Sequence, residues 1–177
     1  MPQGRSPIPA ALKRELLVEA GHRCAIPTCR APAPLEFEHI EEWAKVKRHD
    51  FANMIVLCAN CHGRKGSGPN QIDRKSLHQY KANLSLVNSR YGELERRVLT
   101  YYAQRPDLGA IWLPSNMQLL MMFLLQDGYF ARDEVMDVRV RTETRIFSEI
   151  EAVSQCYVIT DKGMQFVKRW AAALPLE

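Results

Sequence analysis

The chain has 177 residues, 46% hydrophobic and 25% charged, with five cysteines and a formal net charge of +4. That length suits one domain or two small ones. Its longest apolar run, Leu119 to Leu125, falls far short of the roughly 20 residues that span a bilayer as a helix. Met1 to Pro9 is polar and proline-rich with no signal-peptide core, so a cytoplasmic location is expected, with cysteines serving metal rather than disulfides.

Charge is divided unevenly. Residues 1–105 carry 17 Lys/Arg against 10 Asp/Glu, whereas residues 106–177 carry 7 against 10. The first stretch has the positive field of a phosphate-backbone binder, and the second does not.

In chain order, a helix is expected over Pro9 to Ala20. Proline suits a first helical turn, Leu12 and Leu16 share a face, and Gly21 supplies a stop. The helix is expected to cover the metal knuckle that follows. Cys24 and Cys29 enclose four residues, and Cys58 and Cys61 enclose two. Such short spacers let paired sulfurs reach one tetrahedral ion, so the four cysteines are expected to hold a structural zinc. Between the pairs, Leu35 to Ile40 alternates apolar and polar positions like a strand, Glu41 to Ala52 is a polar loop, and Asn53 to Cys58 is a second strand. Cys61 to Lys65 starts a helical turn. This order leaves Glu38, His39, Asn53 and His62 outside the thiolate set, available for a second, chemically active metal. His22, His49 and His78 read as bystanders.

Glu38-His39-Ile40, Asn53-Met54-Ile55-Val56-Leu57-Cys58 and Cys61-His62-Gly63-Arg64-Lys65 together resemble the HNH endonuclease family, whose core is a ββα-metal fold. The resemblance covers roughly residues 12 to 85. It implies a DNA-cleaving phosphodiester hydrolase in which His39 is the general base, Asn53 orients the active-site loop and His62 binds the catalytic ion. Where the family has aspartate before its first histidine, this chain has Glu38, one methylene longer, expected to share that ion with His62. A neutral imidazole, with a reference pKa of about 6.5, can take a proton from water near neutral pH. A divalent ion beside the phosphate stabilises the charge that accumulates there. One carboxylate and one imidazole suit Mg2+ or Mn2+, with Ni2+ or Zn2+ as alternatives. Lys45, Lys47, Arg48, Arg64 and Lys65 flank these residues and are expected to contact DNA phosphates.

Beyond this core, Leu77, Tyr80, Leu84, Val87, Tyr91, Leu94, Val98 and Tyr101 follow 3-4 spacing in one long helical stripe. Its poor charge pairing and Gly92 favour packing within the chain over a homodimer or partner seam, although the seam stays open. From Tyr91 onward a small helix-and-strand domain is expected. Ser115 and Gln118 form a helix-start pattern, the run Leu119 to Leu125 is apolar all round and expected to be buried, and Cys156 reads as a buried thiol. Strands are expected near Val135–Arg141, Arg145–Val153 and Cys156–Ile159. A terminal helix from Thr160 then carries Phe166, Trp170 and Leu174 on one face. This arrangement weakly resembles a winged-helix domain.

The expected fold class is therefore α+β. A zinc-stabilised ββα-metal nuclease domain over residues 1–90 precedes a winged-helix-like assembly or targeting domain over residues 91–177. The expected function is metal-dependent HNH-type cleavage of DNA. The alternatives are a non-catalytic zinc-stabilised nucleic-acid-binding module and an interaction protein with a vestigial nuclease core.

Overall fold

A computed structural model describes residues 6–143 and 148–176. The structure mixes helices and strands in two compact units, Met1–Ser89 with Arg169–Glu177, and Arg90–Lys168. Among the described residues, no helix is long and apolar enough to cross a membrane.

In the first unit, helix α1 (Ala10–Ala20) starts after Pro9 and stops at Gly21, whose φ of 63° is the left-handed conformation that glycine adopts without a Cβ clash. Strands β1 (Leu35–His39) and β2 (Met54–Cys58) pair antiparallel, with Leu35 opposite Cys58 and His39 opposite Met54. The loop between them holds the short helix α2 (Trp43–Val46) and a 3-10 turn, Phe51–Asn53. Helix α3 (Ala59–Gly63) follows β2 directly.

The pleat sorts the side chains of β2 onto two faces. Met54 and Val56 pack with Leu16 and Ala20 of α1. Ile55 and Leu57 pack with Cys24, Cys58 and Cys61 and with Leu77, Tyr80 and Leu84 of helix α4 (Arg74–Arg90). The expectation that α1 covers the cysteine knuckle is thus corrected: α1 covers the opposite face of the hairpin. It takes that face because the inward positions beside the cysteines are filled by α4. The chain returns to this unit at its end, where Tyr80 Oη donates to Ala171 O at 2.9 Å and Asn83 Nδ2 to Leu174 O at 3.0 Å.

The long stripe is not one helix. Helix α4 ends at Arg90, and a new helix, α5 (Glu93–Gln104), begins after Gly92. Glu95 causes the restart by accepting the Gly92 N–H at 2.8 Å through Oε2. Leu77, Leu84 and Val87 are buried in the first unit and Val98 in the second, while Tyr101 is exposed. The halves of the stripe therefore belong to different cores, as the reading of packing within the chain expected.

The second unit contains a three-stranded antiparallel sheet in the order β3-β5-β4, built from β3 (Ala110–Pro114), β4 (Phe130–Glu143) and β5 (Ser148–Ile159). Strand β3 was not legible in the sequence: it is a five-residue edge strand ending in proline, which lacks the N–H a central strand requires. The separate strands expected near 135–141 and 156–159 are parts of two longer ones. The start expected at Arg145 lies outside the described residues. A register shift between Asp133 and Val138 interrupts β4. There Asp137 substitutes for a backbone partner, accepting the Cys156 N–H at 2.9 Å and pairing with Arg132 at 2.7 Å. Cys156 is buried as expected.

The helix expected to start at Ser115 is also corrected. A 3-10 turn, Met117–Met121, leads into the short helix α6 (Met122–Gln126), and Asn116 precedes the turn with a left-handed backbone and no side-chain cap. Ser115 Oγ is buried without a hydrogen-bond partner. The apolar run is only half buried, since Met121 and Leu124 are fully enclosed but Leu119 is 75% and Leu120 52% exposed. The cap of α6 comes instead from Glu95, 2% exposed, whose Oε1 accepts the N–H groups of Phe123 at 2.7 Å and Leu124 at 3.0 Å. Helix α7 (Asp161–Ala171) closes the element order.

Candidate functional site

The β1–β2 hairpin with α3 positions two neighbouring sets of donors. The first is the thiol set. Cys24 follows α1, Cys29 ends the next turn, Cys58 closes β2 and Cys61 lies in α3, and their sulfurs all lie within 4.8 Å of one another. Cys29 Sγ and Cys58 Sγ are 3.6 Å apart, and all four are free thiols. Tetrahedral zinc, with Zn–S of about 2.3 Å, requires S···S edges of about 3.8 Å. The four cysteines therefore fit a zinc ion by number, chemistry and spacing.

Their ionisation depends on what they enclose. Burial pushes the Cys24 thiol up to about 11 and raises Cys61 further. Burial also acts to raise Cys58, but hydrogen bonds outweigh it and lower this thiol, foremost the one from the Cys61 N–H at 3.4 Å. Without a cation the set resists carrying several negative charges, and a divalent ion reverses that balance.

The second set lies on β1 and α3. Alternation along β1 puts Glu36 and Glu38 on the same side, and both reach His62. His62 Nδ1 is 2.9 Å from Glu36 Oε2, and His62 Nε2 is 2.8 Å from Glu38 Oε2. The other oxygen of Glu38 pairs with the Lys65 ammonium, which also donates to the His39 carbonyl oxygen at 2.7 Å. Glu38 and His62, both expected at the catalytic ion, are thus brought into direct contact. Lys65, expected on the DNA surface, is instead half-buried in their midst. Glu36 was not singled out in the sequence, although its two-residue spacing from Glu38 on a strand was the available signal.

His39 ends β1 and is 3% exposed. Asn53 lies directly before β2 and binds the backbone across the loop: its Oδ1 accepts the Glu41 N–H at 2.7 Å, and its Nδ2 donates to Glu41 O at 3.1 Å. Its own carbonyl accepts the Ile40 N–H at 2.8 Å. These bonds clamp both ends of the loop that follows His39.

That loop brings back a residue read as a bystander. His49 Nδ1 lies 3.2 Å from His39 Nε2, and His49 Nε2 lies 2.8 Å from Ser6 O. Trp43 packs against both rings, with centroids 4.7 Å from His49 and 5.5 Å from His39. No sequence spacing announces this contact, because the nine residues between the two histidines follow no single periodicity. His78, the other loop-facing histidine, lies 3.8 Å from Glu41.

Of the remaining basic candidates, Lys45, Lys47, Arg48 and Arg64 are exposed. Arg48 pairs with Asp50 at 3.3 Å, and Arg64 donates to Asn70 O. A polar cleft of about 520 Å³ is lined by Glu42, Lys65, Gly66, Asp73, Arg74 and Lys75.

The family model described as HNH endonuclease matches residues 22–68, the stretch that contains both cysteine pairs, Glu38, His39, Asn53 and His62. No curated protein and no solved structure matches the chain. Over residues 22–68 the chain is similar to the HNH endonuclease family.

Proposed function

We propose that the protein is a metal-dependent endonuclease that hydrolyses phosphodiester bonds in DNA. The observation that carries this reading is the contact of His62 Nε2 with Glu38 at 2.8 Å, next in sequence to His39 and beside a four-thiol set that fits zinc. A divalent ion held by Glu38 and His62, Mg2+ or Mn2+ as the carboxylate favours, or Ni2+ or Zn2+ as the imidazole also suits, would supply Lewis-acid stabilisation of the phosphate and the departing oxygen. His39 takes a proton from water, the water oxygen forms the new bond to phosphorus, and the bond to the leaving oxygen breaks. Asn53 holds the loop that shapes the backbone around His39. Four cysteines holding zinc fix β2 and α3, and so set the position of His62 relative to β1. Lys45, Lys47, Arg48 and Arg64 supply phosphate contacts, and Arg74 and Lys75 extend the basic surface along the cleft.

The second unit is proposed to be of winged-helix type, supported by its sheet order β3-β5-β4 with helices α5 and α6 before the hairpin. Its nearly neutral balance, ten Lys/Arg against eleven Asp/Glu over Arg90–Lys168, favours an assembly or targeting role over strong DNA binding.

One observation favours a second reading, a non-catalytic zinc-stabilised nucleic-acid-binding module: the burial of His39, since a general base must reach water. Plasmid cleavage by purified protein with Mg2+, Mn2+, Ni2+ or Zn2+, with and without chelator, separates the two. The nuclease reading expects metal-dependent cleavage that falls by about 10²-fold or more in His39→Ala with DNA binding retained. Binding without cleavage under every ion would leave the non-catalytic module.

A further inference from the structure

The sheet of the second unit has an open edge at β3, and the ladder fixes which backbone groups that edge presents. Ile159 N–H donates to Gly109 O at 3.0 Å, and Ser115 N–H donates to Val153 O at 3.3 Å. Both contacts continue the β3–β5 register, which pairs Ile111 with Tyr157 and Leu113 with Gln155. In an antiparallel ladder every second residue bonds its partner strand, so residues 109, 111, 113 and 115 turn their backbone groups toward β5. Ala110, Trp112 and Pro114 turn theirs outward. The outer edge therefore presents the N–H groups of Ala110 and Trp112 and the carbonyls of all three, proline having no N–H. Among the described residues, no strand pairs with this edge.

The edge borders a groove of about 590 Å³ whose other wall is α5. Val98, Tyr101 and Leu108 line the groove together with residues 110–113 and Arg97, and no carboxylate is among these lining residues. Tyr101 is 40% exposed. The Trp112 indole is tied across the sheet, its Nε1–H donating to Met136 O at 3.0 Å, and is 47% exposed. Glu93 pairs with both Arg96 at 3.0 Å and Arg97 at 2.9 Å, so one carboxylate serves two guanidinium groups. Arg105 lies 4.3 Å from the centre of the Tyr101 ring. The groove is thus apolar along its length and positive on the α5 side.

We propose that the groove between β3 and α5 is a docking site for an extended segment of a partner protein, which adds a strand to the outer edge of β3 and sets acidic side chains against Arg97 and Arg105. The proposal rests on the assembly or targeting role of the second unit and gives that role a surface. Bonds to the backbone of Ala110 and Trp112 supply affinity for any extended chain, while alternate apolar side chains meeting Val98 and Tyr101 supply selectivity. Five residues of β3 offer an edge of about 17 Å, enough for about five residues of partner. Charge decides against a second copy of β3 as the occupant, since Ala-Ile-Trp-Leu-Pro has no carboxylate to face Arg97.

The test pans a displayed library of random peptides on the full chain and measures the selected peptides by fluorescence anisotropy. Apolar residues alternating with Asp or Glu are expected among them. Ala110→Pro removes one outward N–H without touching the β5 ladder, and Arg97→Glu reverses the charge of the groove. Each is expected to weaken binding by about 3- to 10-fold. Amide hydrogen exchange gives the signature that a merely structural effect would not: Ala110 and Trp112 exchange fast in the free protein and slowly with peptide, while Ile111 and Leu113 are protected in both. If Ala110→Pro does not fold, the exchange pattern and Arg97→Glu still decide the proposal. Slow Ala110 and Trp112 exchange in the free monomer overturns it. Protection that grows with protein concentration, alongside a dimer in sedimentation, overturns it in favour of a second copy. Perturbation of Tyr101 and Trp112 by a single-stranded oligonucleotide but by no peptide overturns it in favour of base stacking. Peptides that bind the second unit but ignore both substitutions reject the groove and leave the assembly role standing, whereas failure to select any peptide rejects both.

Discussion

Lys65 donates from its ammonium to the carbonyl oxygen of His39 at 2.7 Å, tying the segment after α3 to the end of β1. The same ammonium pairs with Glu38, the carboxylate proposed to share an ion with His62. A resident positive charge on that carboxylate competes with a divalent cation. Lys65→Met is therefore expected to raise affinity for Mn2+ by about 3- to 10-fold, the scale of a partly exposed charge interaction. Calorimetric titration of wild type and variant measures this. Unchanged affinity would indicate that Glu38 is not a ligand of the ion.

The thiol set carries a prediction about folding. Elemental analysis is expected to find one zinc per chain, lost in Cys58→Ser together with cooperative thermal unfolding, because ion binding and folding of such a small unit are coupled. Cys156→Ser should retain the zinc, since Cys156 lies apart from the four-thiol set in the second unit. Well-folded wild-type protein without zinc would remove the assignment.

Glu95 is the buried hinge of the second unit's helices, accepting three backbone N–H groups from Gly92, Phe123 and Leu124. Glu95→Ala leaves those three donors without their partner, that of Leu124 in a fully buried position. The expected cost is on the order of 3 kcal/mol or more, with Glu95→Gln costing less because one amide oxygen can still accept. Urea unfolding followed by circular dichroism would show the difference.

Acid should weaken the second unit through Asp127. The hydrogen bonds from Arg90, at 2.6 and 3.0 Å, hold its carboxyl below the ordinary carboxylate range, and the Tyr91 hydroxyl adds to that effect. A depressed folded-state pKa makes this stabilisation complete above the unfolded value of about 3.9. It is lost as pH falls through the lower folded value. The stability difference between wild type and Asp127→Asn should accordingly be largest near neutral pH and shrink steadily below about pH 4. A difference independent of pH would show that Asp127 acts by shape rather than charge.

The broken stripe bears on oligomeric state. Leu84 is 2% exposed inside the first unit, so Leu84→Asp buries a charge without a partner and is expected to unfold that unit, at a cost of about 4 kcal/mol or more. A soluble, folded Leu84→Asp monomer derived from a wild-type dimer in sedimentation would instead restore the intermolecular seam.

The sequence by itself determined the parts whose chemistry is local. Cys24/Cys29 and Cys58/Cys61 announce a metal because short spacers suffice to converge two sulfurs. Glu38, His39, Asn53 and His62 stand out because their order relative to two strands is preserved along the chain. The start and end of α1 were legible because Pro9 and Gly21 act on their own backbone. The run after Ser115 misled because a cap pattern and seven apolar residues do not say which of them a neighbour will cover. Buried Glu95 captured the N–H groups at Phe123 and Leu124, so the helix begins there and Leu119 and Leu120 remain in solvent. Only the tertiary structure decided that α1 lies on the face of the hairpin away from the thiols, since both faces of β2 are apolar. It also decided that Lys65 turns inward to Glu38 and that His49 returns to His39. Both contacts are set by loop closure, where the chain path rather than any periodic pattern of residues determines which side chains meet.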